Sequence, residues 1–390
     1  MLEKAKTLQD TLIRLRRTIH MNPELGFEEF KTSALVADTL GELGIEYQTG
    51  VGKTGLVARL GNGEGPTIGI RADMDALPIL EANEVDYKSQ TPGKMHACGH
   101  DAHTTMLLGA AMLLKDEPIN GEIRLLFQPS EERADAEGIN GAPRMIEDGA
   151  LEGVDAVIAL HVSSLLDRGK ISYRAGQMLA NQDRIQARII GKGGHGAAPH
   201  TCNDPIYMMG PILSALHGIV SRRIKPIEPA VVTAGIIKGG TVANVIPNEV
   251  ELDMTLRSLS SDVRSQLIEE VERCLAIART LGGDYVMTVE PGCPSLVNDP
   301  TVTEWIRDTA GQLIGLENVV EREPGMGFED FSYMAQAAPG AMFNLGTKDP
   351  AGPPRFAHHP EFDIDESAMP IGAAVLAQTA LRFVRGEFDS

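Results

Sequence analysis

The stretch Met95-His96-Ala97-Cys98-Gly99-His100-Asp101-Ala102-His103 sets three imidazoles, a thiol and a carboxylate within nine positions. A packed core has no use for such a cluster, because each polar group costs free energy to bury unless it finds a partner. Thiolate and imidazole together are donors for a borderline-soft divalent cation. The residues that follow, about 102–115, are apolar and helix-forming, so Cys98 and His100 fall on a loop that opens a helix. Working outward, the runs 56–60, 67–72, 122–128 and 156–162 read as strands and 142–148 as a helix. Strands alternating with helices imply an α/β sheet with helices on its faces.

Upstream, Leu8, Leu12, Leu15 and Ile19 recur at helical spacing and predict a helix over 3–20, ended by Asn22-Pro23. A second helix is expected over 28–43. Downstream the order changes. A strand at 184–190, a helix at 204–222, strands at 231–238 and 249–257, a helix at 261–281 and a strand at 285–290 spell β-α-β-β-α-β, the ferredoxin-like arrangement. After Pro291 the first pattern resumes, with a helix near 300–315, a strand at 341–345 and a terminal helix over 366–385. The fold class expected is therefore α/β: a domain of residues 1–181 and 292–390 with a mixed sheet flanked by helices, and an inserted ferredoxin-like domain over 182–291.

A chain of 390 residues suits two cores better than one. The net charge of −19 argues against a nucleic-acid partner or an anionic membrane surface, since both need a basic face. Cys98, Cys202, Cys274 and Cys293 are far apart, which fits a reducing compartment rather than a disulfide framework. The charged opening MLEKAKTLQD does not read as a signal peptide, and no apolar run approaches the length of a membrane span. A cytoplasmic setting is expected.

Further donors lie downstream of the opening cluster. Glu131-Glu132 follow the strand 122–128, His161 closes the apolar run 156–160, and His358-His359 sit in a Gly/Pro-rich loop. Asp73 and Asp75 come just after the strand 67–72. Strand ends and loops can be aimed by a rigid sheet at one point, and in open α/β sheets ligands bind beyond the carboxyl ends of strands. Each residue alone has a plainer reading: Cys98 as a small buried hydrophobe, the two aspartates as turn formers, Glu131-Glu132 as a solvated pair, His161 as a core histidine. Their convergence favours a two-metal hydrolytic site. Two divalent ions about 3.5–4 Å apart polarise a carbonyl and generate hydroxide near neutral pH. An anionic ligand must separate them. Of two adjacent glutamates, one can bind metal while the other stays free as a general base.

The stretches HMNPELGFEE (20–29), RADMDALP (71–78), MHACGHDAHTTMLLGAA (95–111), FQPSEE (127–132), ALHV (159–162), GKGGHGAAPH (191–200), ANVIPN (243–248), GFEDFSY (327–333) and HHPEF (358–362) run in order through the chain. As a set they resemble the co-catalytic metallopeptidase family of aminoacylases and carboxypeptidases. More closely, they resemble its amidohydrolase branch of hippurate hydrolases, indole-acetyl-amino-acid hydrolases and N-acetyl-diaminopimelate deacetylases. The resemblance implies two divalent metal ions per subunit, Zn or Mn foremost, with Co or Ni also compatible. It implies Cys98 as the bridge, His100 and His161 on one ion, and Glu132 and His358 on the other. Glu131 would be the general base, and Asp75 would orient a ligand or the base. The wider family has a metal-binding His at the position of Asp73, whose role here stays open. Between His358 and His359, only the branch's His-x-Pro pattern favours the first.

By the same resemblance the inserted domain is a lid and dimerisation domain. His195 would stabilise the oxyanion, and Asn244 and Arg257 would contact substrate, Arg257 clamping its α-carboxylate. A homodimer, or a tetramer, is implied. The activity implied is hydrolysis of N-acyl amino acids to a carboxylic acid and a free amino acid. A dipeptidase or carboxypeptidase on the same scaffold is the alternative. Thiol catalysis by Cys98 is less economical, because it leaves Glu131-Glu132 and His161 idle, and the full ligand set together with Glu131 argues against a non-catalytic binding protein. The segments RADAEGINGAPRM and VSSLLD depart from the branch beside the site and bear on the substrate pocket.

Overall fold

The computed structural model describes residues 1–388. They form two units: Met1–Gly176, Val297–Glu323 and the described residues from Asp330 onward in one, Gln177–Leu296 and Pro324–Glu329 in the other. The second unit thus extends past the 182–291 stretch at both ends and takes in a short segment from further along the chain.

The first unit opens with α1 (Leu2–Lys6), α2 (Gln9–Met21), α3 (Phe30–Glu42), β1 (Glu46–Val51), β2 (Gly55–Gly61) and β3 (Thr67–Asp73). It continues with α4 (His100–Leu114), β4 (Glu122–Gln128), α5 (Gly141–Glu147), β5 (Ala156–Asp167) and β6 (Ile171–Tyr173). Next come β7 (Gly176–Leu179), β8 (Asn181–Ile190), β9 (Gly194–His195), α6 (Pro205–Arg222), β10 (Ala230–Gly239) and β11 (Val245–Ile246). They are followed by β12 (Glu249–Ser258), α7 (Ser261–Leu275), α8 (Ile277–Thr280), β13 (Asp284–Pro291) and β14 (Leu296–Asn298). The chain closes with α9 (Pro300–Ile314), β15 (Val319–Glu321), α10 (Phe331–Ala337), β16 (Gly340–Lys348) and α11 (Met369–Val384).

The main sheet runs β1-β2-β4-β3-β5-β16-β6-β15. Its centre is parallel (β4, β3, β5, β16), while β1, β2 and the β16–β6 pair are antiparallel, so the sheet is mixed. β3 is buried along its whole length, as a strand covered on both faces must be. Ile70, Leu107, Leu160, Phe343 and Leu376 meet in one core between the sheet and its helices. The stretch Glu366–Val384 is apolar and long enough to span a membrane, but 78% of it is buried inside the protein, as a core helix is. Because β3, β4 and β5 are parallel, their carboxyl ends open at one edge, with Asp73 registered against Gln128.

Three elements differ from the sequence reading. The helix expected over 3–20 breaks at Thr7-Leu8, where the Thr7 hydroxyl donates to Lys4 O at 2.7 Å and caps α1. The 261–281 helix breaks at Ala276. The strand carrying His161 runs on to Asp167, because β16 pairs with it well past the histidine. His161 is thus mid-strand rather than at a strand end, and His100 is the first residue of α4 rather than part of the loop.

In the second unit, β10-β12-β8-β13 form an antiparallel sheet with β8 and β12 inside. Alternate residues of β12 are buried. Ile185, Ile189, Leu252 and Met254 pack with Ile212 and Leu216 of α6 and Leu267 and Val271 of α7. Asp204 caps α6 by accepting from the N–H groups of Ile206 and Tyr207, with Pro205 at the first helical position.

Candidate metal centre

Gly99 decides how Cys98 and His100 are presented. Its φ is +94°, and a Cβ there would lie 2.3 Å from Val162 Cγ2, so only glycine lets the loop press against β5. His100 then begins α4. Its Nδ1 lies 3.0 Å from Asp75 Oδ1, while its Nε2 is buried with no hydrogen-bond partner. The other Asp75 oxygen accepts from Glu132 N at 2.9 Å. One carboxylate thus orients both the imidazole and the backbone of the glutamate pair. His161 donates from Nδ1 to Val162 O at 2.7 Å, which turns its Nε2 toward Cys98 Sγ, 3.4 Å away.

Two strained residues deliver the remaining donors. Ser130, just before Glu131-Glu132, has φ +48°, and His358 has φ +61°. Such conformations cost of order 1–3 kcal/mol each and persist only where the surroundings hold them. Ser130 N donates to Glu29 Oε1 at 2.8 Å, and His358 N donates to Ala97 O at 2.8 Å, one residue from Cys98. The second anchor separates the adjacent histidines. His358 Nε2 comes within 3.0 Å of Glu132 Oε1, whereas exposed His359 turns its Nδ1 to Glu361 N at 3.2 Å.

The donor atoms gather in overlapping sets. Those of Cys98, His100 and His161 lie within 4.8 Å of one another, as do those of Cys98, Glu132 and His358, and those of His100, Glu131 and Glu132. Cys98, His100 and Glu132 each belong to two of these sets; of the three, a thiolate or a carboxylate can be shared by two cations, whereas one imidazole nitrogen cannot. The donors fit a pair of cations on a direct observation: His100 Nε2 is buried without a hydrogen bond, and Glu132 Oε1 has only the His358 imidazole within 3.0 Å. Buried polar atoms left bare are rare and call for an explanation. Burial alone would raise the Cys98 thiol, but His161 and His100 reverse this and hold it well below the ordinary thiol range. Burial pushes Glu132 up to about 7, helped by the Cys98 charge. His358 is raised to about 10 by its bonds to Cys98 and Glu132. Protons and cations compete for such a set, so metal binding releases protons.

Several site residues escape sequence reasoning. Asp73 receives His103 Nδ1 at 2.6 Å and Arg71 Nη1 at 2.7 Å. His103 Nε2 in turn accepts from Val162 N at 2.9 Å. Both nitrogens of His103 are thereby committed, and Asp73, whose Oδ2 also lies 3.7 Å from His100 Nε2, links this brace to the centre. Arg71 continues the brace to Gln128 and Asp330, and Asp330 N approaches Glu131 Oε1 at 3.4 Å. Glu29 is fully buried and pushed up to about 7, chiefly by burial and then by Asp75. Its one sequence signal was the stretch 20–29.

The second unit places His195 and Asn244 together. β9 and β11 pair His195 with Val245, and Gly196 N donates to Asn244 O at 2.8 Å. Both residues are exposed. Arg257, on β12, donates from Nη1 to Met326 O at 2.8 Å, with its guanidinium 5.5 Å from the Phe328 ring centre.

The chain resembles known proteins over nearly its whole length. The chain is 41% identical to IAA-amino acid hydrolase ILR1-like 4 of Arabidopsis thaliana, over 98% of this chain and 88% of that protein. It is 42% identical to thermostable carboxypeptidase 2 of Saccharolobus solfataricus, over 97% of this chain and 96% of that one. The YXEP protein of Bacillus subtilis, a dinuclear metal-binding peptidase, superposes with a TM-score of 0.85 at 34% identity, covering 97% of this chain and 99% of that one. The sequence pattern of peptidase family M20/M25/M40 matches residues 69–382, and the chain belongs to that family.

Proposed function

We propose that this protein is a metal-dependent amidohydrolase that cleaves N-acyl amino acids to a carboxylic acid and a free amino acid. The observation that carries the reading is the place of Cys98 in two donor sets at once. Cys98, His100, His161, Glu132 and His358 would hold the two ions, Cys98 being the donor the two sets share. When bound, two divalent cations supply Lewis acidity toward the amide carbonyl and acidify a water near neutral pH. Zn or Mn suits the mixed S/N/O set, and Co or Ni is compatible. Asp75 keeps the His100 proton on Nδ1 and so leaves Nε2 as the donor. Glu131, buried beside these donors, takes the proton of the attacking water and returns it to the leaving amine. His195 steadies the oxyanion, Asn244 contacts the substrate, and Arg257 receives its α-carboxylate. The inserted domain acts as lid and dimerisation element of a cytoplasmic homodimer, or of a tetramer built from it.

The similarity to a carboxypeptidase gives a second reading, peptide-bond cleavage on the same scaffold. Amine release from N-acetyl amino acids, N-benzoyl amino acids and dipeptides, with and without a chelator, separates the two. Acyl amino acids are expected to be hydrolysed fastest, and chelation to abolish turnover. Faster dipeptide cleavage would establish the peptidase reading. Activity that survives chelation but not thiol alkylation would replace both with cysteine catalysis.

A further inference from the structure

The sheet face that carries His161 also carries two arginines that the roles above leave unused. Asn344 on β16 is the register partner of His161 on β5, and Ser172 on β6 is the partner of Asn344. These three side chains therefore project from one face of the pleat. β15 pairs in parallel with β6, Val320 opposite Ser172, and Arg322 N extends the ladder to Tyr173 O at 3.0 Å. Two residues beyond Val320, Arg322 returns to the His161 face. Its guanidinium reaches back across β6 and donates from Nη1 to Asn344 Oδ1. Arg174, two residues after Ser172, joins it and donates from Nη1 to Arg322 O at 3.0 Å.

The surroundings of Arg322 are those of an anion receiver. Its hydrogen-bond partners are neutral: the Asn344 amide and the Glu323 carbonyl, the latter 3.2 Å from Nε. The Glu323 carboxylate is 96% exposed and approaches Arg174 instead, at 3.9 Å. Burial, and then the Arg174 charge, lowers the Arg322 pKa. A half-buried guanidinium beside a like charge is costly unless an anion joins it, and its planar fork suits a carboxylate held by two bonds. Adjacent strands lie about 4.7–4.9 Å apart. Asn344 therefore stands one strand from His161, and its side-chain oxygen holds the Arg322 guanidinium.

We propose that Arg322, held by Asn344 and backed by Arg174, binds a carboxylate of the substrate's amino-acid portion. The inference rests on the N-acyl amino acid reading and adds a specificity residue to it. The α-carboxylate and a side-chain carboxylate share this chemistry, and the test distinguishes them. The metal-loaded full chain is assayed on N-acetyl-leucine against N-acetyl-leucinamide, and on N-acetyl-glutamate against N-acetyl-glutamine. Wild type is expected to prefer the acid in at least one pair. Arg322→Gln is expected to lose about 10- to 100-fold in kcat/KM toward that acid, mainly through KM, and to spare the neutral partner. Arg322→Lys should recover part of the preference. A change confined to the first pair assigns the α-carboxylate to Arg322 in place of Arg257, and one confined to the second assigns the side chain to Arg322 and leaves the α-carboxylate with Arg257. Melting temperature and metal content are measured alongside; if Arg322→Gln is destabilised, Arg322→Lys carries the comparison. The inference is overturned if wild type prefers neither acid, or if the variant keeps both preferences or loses the two members of both pairs alike. If wild type releases amine from none of the four, the functional reading itself fails and this inference falls with it.

Discussion

His100 and Asp101 are consecutive residues that face two buried polar clusters of opposite design. Asp101 Oδ2 accepts from Arg16 Nε at 3.0 Å and lies 2.8 Å from His20 Nδ1, while Arg16 also meets Asp363 and Glu366. There the chain answers charge with charge of its own. His100 faces Cys98, Glu131 and Glu132, and its Nε2 is left bare. The first cluster is a tie that holds α2, α4 and the segment before α11 together. The second is a set of donors aimed at one another by second partners: Asp75 behind His100, the Val162 carbonyl behind His161, Ala97 behind the His358 backbone. Composition does not separate a scaffold from a cation cradle, since both contain His and carboxylates. What separates them is the donor set: the first pairs a guanidinium with carboxylates, whereas the second gathers a thiol, imidazoles and carboxylates with no arginine or lysine among them.

The contrast breaks if either cluster behaves like the other. The largest effect is expected at Glu131, which the account makes a base rather than a structural tie. Glu131→Gln should lower kcat by roughly 10²- to 10⁴-fold while both metals and the melting temperature are retained. Near-normal turnover, or loss of metal, would move Glu131 out of that role. A smaller effect is expected in the Arg16 cluster. Burial works to lower the His20 pKa, but hydrogen bonds to Asp101 and Glu81 outweigh it and raise the value from 6.5 to about 9. A raised histidine stabilises the fold fully below its unfolded pKa, and that contribution fades as pH rises through the folded value. Melting curves from pH 6 to pH 10 should therefore show wild type losing stability more steeply than His20→Gln, by at most a few kcal/mol, or about 2–4 °C per kcal/mol. Parallel curves would mean that His20 carries no such charge.

Much of the site was legible because its donors lie in local motifs. Cys98 and His100 share one loop–helix junction, and Glu131-Glu132 follow a strand whose apolar run ends at Phe127. The parallel core was legible too: β4 spans Glu122–Gln128, the same bounds that its alternation with helices suggested. What sequence could not resolve depended on contacts between distant segments. His358 and His359 are equivalent as letters, and a backbone bond to Ala97 tells them apart. Nothing in the sequence told that Asp73 is held by His103 and Arg71. Glu29 and Asp330 lie far along the chain from the pair they support, and no periodicity links them to it. β15 is a three-residue edge strand, too short for alternation to register, yet it brings Arg322 to the His161 face.

The most direct test is the metal content and position in crystals of the purified protein, read by anomalous scattering. The account predicts two divalent ions per chain, Cys98 Sγ common to both, His100 and His161 on one side, Glu132 and His358 on the other. A single ion that leaves Cys98 unligated, or ions bound away from these five side chains, would contradict it.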